Sequence, residues 1–160
     1  EGGSGGISDA LKYAEDFADG ESVAVLLGDN TTDADISSAV SGFSEGAMVF
    51  LKEVTDPNRF GIPRFSESDP SVIEEILEKP EVAPCNLAVT GLYLYDNTVF
   101  DKIRSLKPSG RGELEVTDLN NAYIKEGKLK WTTLDGFWSD AGTFESLFRT
   151  NAYWAKKVLG

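Results

Sequence analysis

Histidine is absent from these 160 residues, and cysteine and methionine occur once each, at Cys85 and Met48. Without histidine the chain can hold neither a Ser-His-Asp nor a Cys-His nucleophile, and no mixed Cys/His zinc site. A single cysteine cannot close an internal disulfide, so a reducing, cytoplasmic setting fits. Positive charge is scarce too. The 15 Lys and Arg against 27 Asp and Glu give a formal net charge of −12. That argues against a nucleic-acid polymer as partner, because its phosphates attract basic surfaces. A small anionic substrate stays open, since a local basic group or a divalent cation can hold phosphate against an acidic background. No apolar run approaches the roughly 20 residues of a membrane span, so no membrane association is expected. Glu1 is followed by glycines rather than by the basic and apolar stretch of a signal peptide.

What is present reads as one folded domain. A hydrophobic content of 41% with 26% charged residues is ordinary for such a chain. After the flexible Gly2–Gly6 stretch, Ile7, Ala10, Leu11, Ala14 and Phe17 recur at helical spacing up to Gly20. Ser22–Leu27 is short, apolar and without alternation, which predicts a strand buried on both faces in a mainly parallel sheet. A helix is predicted over Asp33–Phe43 and a second strong strand over Ala47–Val54. Phe60–Phe65 and Val72–Lys79 read as paired strands, and Leu87–Tyr95 as an apolar strand with Gly91 inside it. A glycine there marks a close approach of ligand or backbone. Helices follow over Val99–Leu106 and Leu114–Ile124, then a strand over Gly127–Leu134. Thr143 is placed to cap a last helix carrying Phe144, Leu147, Phe148, Asn151 and Ala155. The order is α/β with an antiparallel insertion.

Two aspartates stand out chemically. Asp29 follows the Ser22–Leu27 strand directly, at the carboxyl end where open α/β sheets bind ligands. Asp140 precedes the last helix. Magnesium prefers one or two carboxylates plus substrate phosphates, so the pair suits metal-assisted phosphoryl or nucleotidyl transfer. The commoner fate of such residues is to cap a turn and a helix. Lys79, fixed by Pro80, can meet a phosphate as a point charge, although most lysines are solvated surface groups. Gly5 and Gly6 ahead of a helix can present backbone N–H groups to an anion. Tyr93, Tyr95, Phe137 and Trp138 can stack on a sugar or base, but aromatics are more often core.

Several strings together resemble the sugar-nucleotide pyrophosphorylase family, and its thymidylyltransferase branch in particular. They are Gly5-Gly6-Ile7 with Ala14-Glu15-Asp16-Phe17, then Leu27-Gly28-Asp29-Asn30, Arg59-Phe60-Gly61 and Glu78-Lys79-Pro80. Ala88–Tyr93, Arg111–Asp118 and Trp138–Thr143 complete the set, in the family's order along the whole chain.

The resemblance implies a Rossmann-like mixed sheet flanked by helices, of the nucleotide-diphospho-sugar transferase type. It implies that dTTP and glucose 1-phosphate give dTDP-glucose and pyrophosphate, with Mg2+, in dTDP-sugar biosynthesis. Asp29 and Asp140 would bind the metal and Lys79 the sugar phosphate. Glu78, Gly61 and Val89 would surround the glucose hydroxyls, Gly6 and Ile7 would lie against the nucleoside, and Leu27, Tyr93 and Trp138 would line the site. Two departures stand beside it. No glycine-rich triphosphate loop with its catalytic lysine is present, so the chain over residues 1–160 resembles only the later part of such an enzyme, without the first strands. Thr31-Thr32 replaces an apolar or aromatic pair, which is expected to alter the entrance near the metal. The whole protein is expected to form a homo-oligomer. Sister enzymes using UTP, CTP, GTP or ATP, and a non-catalytic sugar-phosphate-binding module, are the alternatives.

Overall fold

The apolar stretch Leu87–Tyr95 becomes the central strand of the molecule in the computed structural model, which describes residues 5–160. This strand, β6, lies between β1 (Val23–Leu26) and β3 (Ala47–Glu53), antiparallel to both, and β7 (Leu129–Thr133) pairs in parallel with β3. The order β1-β6-β3-β7 is therefore a mixed sheet in which three strands point one way and β6 is reversed. Successive side chains of a strand alternate between faces, and β6 uses both. Tyr93 and Tyr95 face a core that α4 (Val99–Ser105) and α5 (Val116–Lys125) supply with Val99, Phe100, Ile103, Leu119 and Tyr123. Leu92 and Leu94 join Phe50 and Leu134 on the other face, under Ile36, Ala39 and Phe43 around α3 (Ser37–Gly42). The α/β class with helices on both faces is thus as expected.

The β1 reading needs correction. Its strand alternates between half-buried and exposed positions, and Leu26 is 59% exposed, so its continuous apolarity does not reflect burial on both faces. The first helix is also broken. It runs as α1 (Gly6–Leu11), a tighter turn over Lys12–Ala14, and α2 (Glu15–Ala18), with Asp19 left-handed at its end. Ala18 is buried, whereas Phe17 is 91% exposed. Helix α3 is shorter than its periodicity predicts. The Asp33 carboxylate accepts from the Phe137 amide and from the side chains of Tyr153 and Lys157, which holds the chain extended ahead of α3.

Two small antiparallel pairs stand outside the main sheet. One is the expected hairpin of β4 (Gly61–Phe65) and β5 (Ile73–Glu78). The other joins β2 (Asn30–Thr32) to β8 (Trp138–Asp140) and is absent from the sequence reading. The last helix, α6 (Phe144–Leu159), is capped by Thr143 as its sequence predicts, and the structure adds a capping box between Thr143 and Ser146. No helix among the described residues is long and apolar enough to cross a membrane.

Candidate active site

The β2–β8 ribbon places the two aspartates side by side. Asn30 is in register with Asp140, and the Ala141 amide donates to the Asp29 carbonyl at 2.6 Å. A Cβ built on Gly142 would stand 3.2 Å from Asp140 Oδ2 and 3.4 Å from Asp29 Oδ2. Both carboxylates therefore edge one small space that only a glycine leaves open. Among the described residues the Asp29 carboxylate caps no turn and bonds the Asn30 side-chain amide at 2.9 Å. Thr143 rather than Asp140 caps α6, although Asp140 accepts from the Gly142 backbone amide at 3.2 Å.

Asn30 organises this wall. Its Nδ2 donates to Asp29, and its Oδ1 accepts from Trp138 Nε1 and from the Gly91 amide, both at 2.9 Å. Around Gly91 the β3–β6 register slips, with Val49 opposite Tyr93 but Leu51 opposite Val89. A side chain at residue 91 would meet the Asn30 amide at 2.6 Å. The close approach signalled by this glycine is thus made by Asn30. Thr31 and Thr32 turn the other way. Thr31 accepts from Trp154 Nε1 at 2.7 Å and Thr32 donates to the Phe137 carbonyl at 2.7 Å, so they brace α6 and its approach rather than line the cleft.

The β4–β5 hairpin forms the facing wall. Gly61 pairs with Glu78, whose carboxylate accepts from Thr117 Oγ1 at 2.6 Å and lies 3.5 Å from Arg111 and 3.7 Å from Lys79. Lys79 has φ +45° and an exposed side chain. A left-handed conformation is unusual for any residue but glycine, and more so ahead of a proline. Its amide is held by the Phe60 carbonyl at 3.0 Å. Strain of this kind gathers at functional positions.

Between the walls lies a cleft of about 280 Å³. Asp29, Asp140, Lys79, Ile7, Leu27, Gly61, Glu78, Val89, Tyr93 and Trp138 all line it. Gly6 does not. It lines the adjoining depression with Ile7, Lys79 and Arg111, where the Gly5 carbonyl accepts from the Leu114 amide. Of the four aromatics, Trp138 and Tyr93 reach the cleft. Tyr95 is core, donating to Asn120 at 2.7 Å, and Phe137 stacks on Tyr153 at 3.8 Å. Burial, with the Glu78 and Asp29 charges, raises the Tyr93 phenol above its ordinary pKa, so it remains a neutral group. A wider depression of about 930 Å³ lies elsewhere and is edged by mutually paired charges such as Lys102 and Glu126.

Arg59 and Asn30, to which the sequence reading gives no role, both line the cleft, and Arg59 binds Asp140 at 2.7 Å.

The nucleotidyl transferase family profile matches residues 1–157 of this chain. It belongs to that family. A glucose-1-phosphate thymidylyltransferase of Neisseria meningitidis serogroup A is 38% identical over 154 residues, 92% of this chain and 53% of the relative. A Bacillus anthracis structure described as a glucose-1-phosphate thymidylyltransferase, solved with sucrose, superposes with a TM-score of 0.87 at 47% identity. That match covers 96% of this chain and 62% of the other. A UDP-glucose pyrophosphorylase complexed with UDP-glucose gives a TM-score of 0.81 at 25% identity over 97% of this chain and 64% of that one. The chain spans about half the length of the curated relatives it matches.

Proposed function

We propose that this protein carries the sugar-phosphate and metal half of a site that transfers a thymidylyl group from dTTP to glucose 1-phosphate, releasing pyrophosphate. The observation that carries the reading is the facing of the Asp29/Asp140 wall and the Glu78/Lys79 wall across one cleft. In this reaction a phosphate oxygen of the sugar attacks the α-phosphorus and the bond to pyrophosphate breaks. No covalent enzyme intermediate is needed, so catalysis consists of positioning and charge neutralisation. The absence of a histidine nucleophile is no obstacle.

The donor set suits Mg2+, with two hard carboxylates about one small space, since that ion takes one or two carboxylates and completes its shell with phosphate and water. Such a cation neutralises charge on the reacting phosphates. Lys79 would meet the sugar phosphate as a point charge. Glu78, fixed by Thr117, would accept from glucose hydroxyls beside the Gly61 backbone, with Val89 below. Trp138 and Tyr93 would close the apolar sides, Leu27 and Ile7 the rim, and Gly6 the direction of the nucleoside.

A second reading uses UTP, favoured by the likeness to a UDP-glucose pyrophosphorylase solved with its product. Pyrophosphate release by the complete gene product, with glucose 1-phosphate and each nucleotide in turn, separates the two. Turnover with dTTP above that with UTP, lost in Asp29→Asn and Asp140→Asn, supports the thymidylyl assignment. Equal or better turnover with UTP overturns it, and silence with every nucleotide points to a binding module.

A further inference from the structure

The two aspartates of the ribbon are differently occupied. Asp29 is exposed, and its carboxylate bonds only the neutral Asn30 amide among the contacts of the described residues. Asp140 is buried, and its Oδ2 alone accepts from three groups: Arg59 at 2.7 Å, the Gly142 amide at 3.2 Å and Ser146 Oγ at 3.2 Å. Oδ2 is the Asp140 oxygen that shares the Gly142 space with Asp29. With three donors on it no lone pair there remains for a cation, while Oδ1 carries no bond among the described residues. Gly142 and Ser146 are fixed by the backbone turn and by the capping box of α6. Arg59 is the donor able to leave. It stands on the Pro57–Arg59 turn, its other nitrogen bonds Asp56 at 2.8 Å, and its guanidinium rides over the Phe60 ring at 5.0 Å.

We infer that Arg59 is the resident counter-ion of Asp140, exchanged for the divalent cation and thereby delivered to the substrate phosphate. The charges balance at each stage. Before exchange, Arg59 neutralises one of its two carboxylates; afterwards the dication neutralises Asp29 and Asp140 while Arg59 keeps Asp56. The bonds change simply: the Arg59–Asp140 ion pair breaks, a cation–carboxylate contact forms, and no proton moves. Arg59 lines the same cleft as Lys79. Freed at Nη2 while Nη1 stays on Asp56, it adds a second positive group beside the proposed sugar-phosphate position, with the N–H groups of that nitrogen open to phosphate oxygens. An arginine tethered in this way makes tight phosphate binding conditional on the cation. Arg59 is thus a positioning residue for the metal carboxylate before it is a phosphate ligand.

This inference rests on the proposed metal role of Asp29 and Asp140, and the test separates the two. Mn2+ binding is measured by electron paramagnetic resonance on the substrate-free protein and on Arg59→Gln, Asp56→Asn and Asp29→Asn. Loss of the competing cation in Arg59→Gln should tighten Mn2+ binding roughly fivefold, the scale of a partly exposed ion pair. Asp56→Asn retains both members of the Arg59–Asp140 pair but removes the alternative anchor, so it should weaken Mn2+ binding about twofold. A structural role for Arg59 predicts weaker or unchanged binding in Arg59→Gln, and that result overturns the exchange. Unchanged binding in Asp56→Asn overturns it too, with no concern that the site has collapsed. If Asp29→Asn binds Mn2+ as the parent protein does, the metal assignment itself fails and this inference falls with it. As a second readout, Mn2+ should strengthen inorganic phosphate binding more in the parent protein than in Arg59→Gln, and an equal gain in both overturns the delivery of Arg59 to the phosphate.

Discussion

The two walls of the cleft are built by opposite means. The acidic wall is non-local: Asn30 and Trp138, bonded side chain to side chain, are 108 residues apart, and the register of two three-residue strands sets the carboxylates. The basic wall is local: one hairpin carries Gly61, Glu78 and Lys79, and its key lysine sits in a strained backbone conformation. In the first wall Asn30 and Asp140 are each held by three bonds, while the Asp29 carboxylate rests on Asn30 alone among the described contacts. The second leaves an exposed cation on a long stem, able to follow a phosphate.

The largest expected effect tests the acidic wall's role. Asp29→Asn and Asp140→Asn should each lower turnover by roughly a thousandfold, as loss of charge stabilisation at a reacting phosphate does. Their stabilities should separate them. Asp140→Ala strands Arg59 and two further donors and should cost about 2 kcal/mol in chemical denaturation, whereas Asp29→Ala should stay within about 0.5 kcal/mol. Equal losses would mean that the walls are not organised as described. Gly91→Ala comes next. Its methyl group would collide with Asn30, so about 2 kcal/mol of stability and the Trp138 contact should be lost together, visible as a changed indole fluorescence. On the basic wall, Lys79→Gly should raise the KM for glucose 1-phosphate while stabilising the fold by about 1 kcal/mol through relief of the left-handed strain. A destabilised Lys79→Gly would show that this backbone is not strained.

The smallest effect concerns acid. The Lys157 bond, then those of Tyr153 and the Phe137 amide, hold the Asp33 carboxyl well below its usual 3.8. A depressed carboxylate contributes stability that is complete above its unfolded pKa and disappears as pH falls through the folded one. The parent protein should therefore lose stability below about pH 4 more steeply than Asp33→Asn, measured by thermal melting across pH 2 to 6. Parallel curves would show that the clamp on α6 contributes nothing to acid tolerance.

Most of the scaffold was legible in the sequence because long apolar runs and helical periods announce buried elements. Leu87–Tyr95 and Ala47–Glu53 are strands as expected, and the Thr143 cap starts its helix. The residues of the cleft were legible too, through their strings, with Gly6 lying just outside it. The ribbon uniting them was not. Asn30–Thr32 and Trp138–Asp140 are too short to show a period, and their pairing is a long-range fact that no local pattern carries. Arg59 escaped for a related reason, since its significance lies in a partner 81 positions away. The exposed face of β1 was misjudged because an apolar run does not reveal how many of its sides are covered.

The separation of Asn30 from Trp138 has a kinetic side as well. Closing so long a segment is entropically costly in an unfolded chain, and long-range strand pairing is slow to form. A species with its main sheet collapsed but the ribbon unmade would carry every residue of the cleft and lack the proposed cation site. Recovery of Mn2+ binding during refolding should then lag behind the return of secondary structure, making the metal a reporter of the last step of folding. Bound cation and phosphate would in turn act as a reversible staple across the chain, and loosening of the ribbon would release them before the sheet itself gave way.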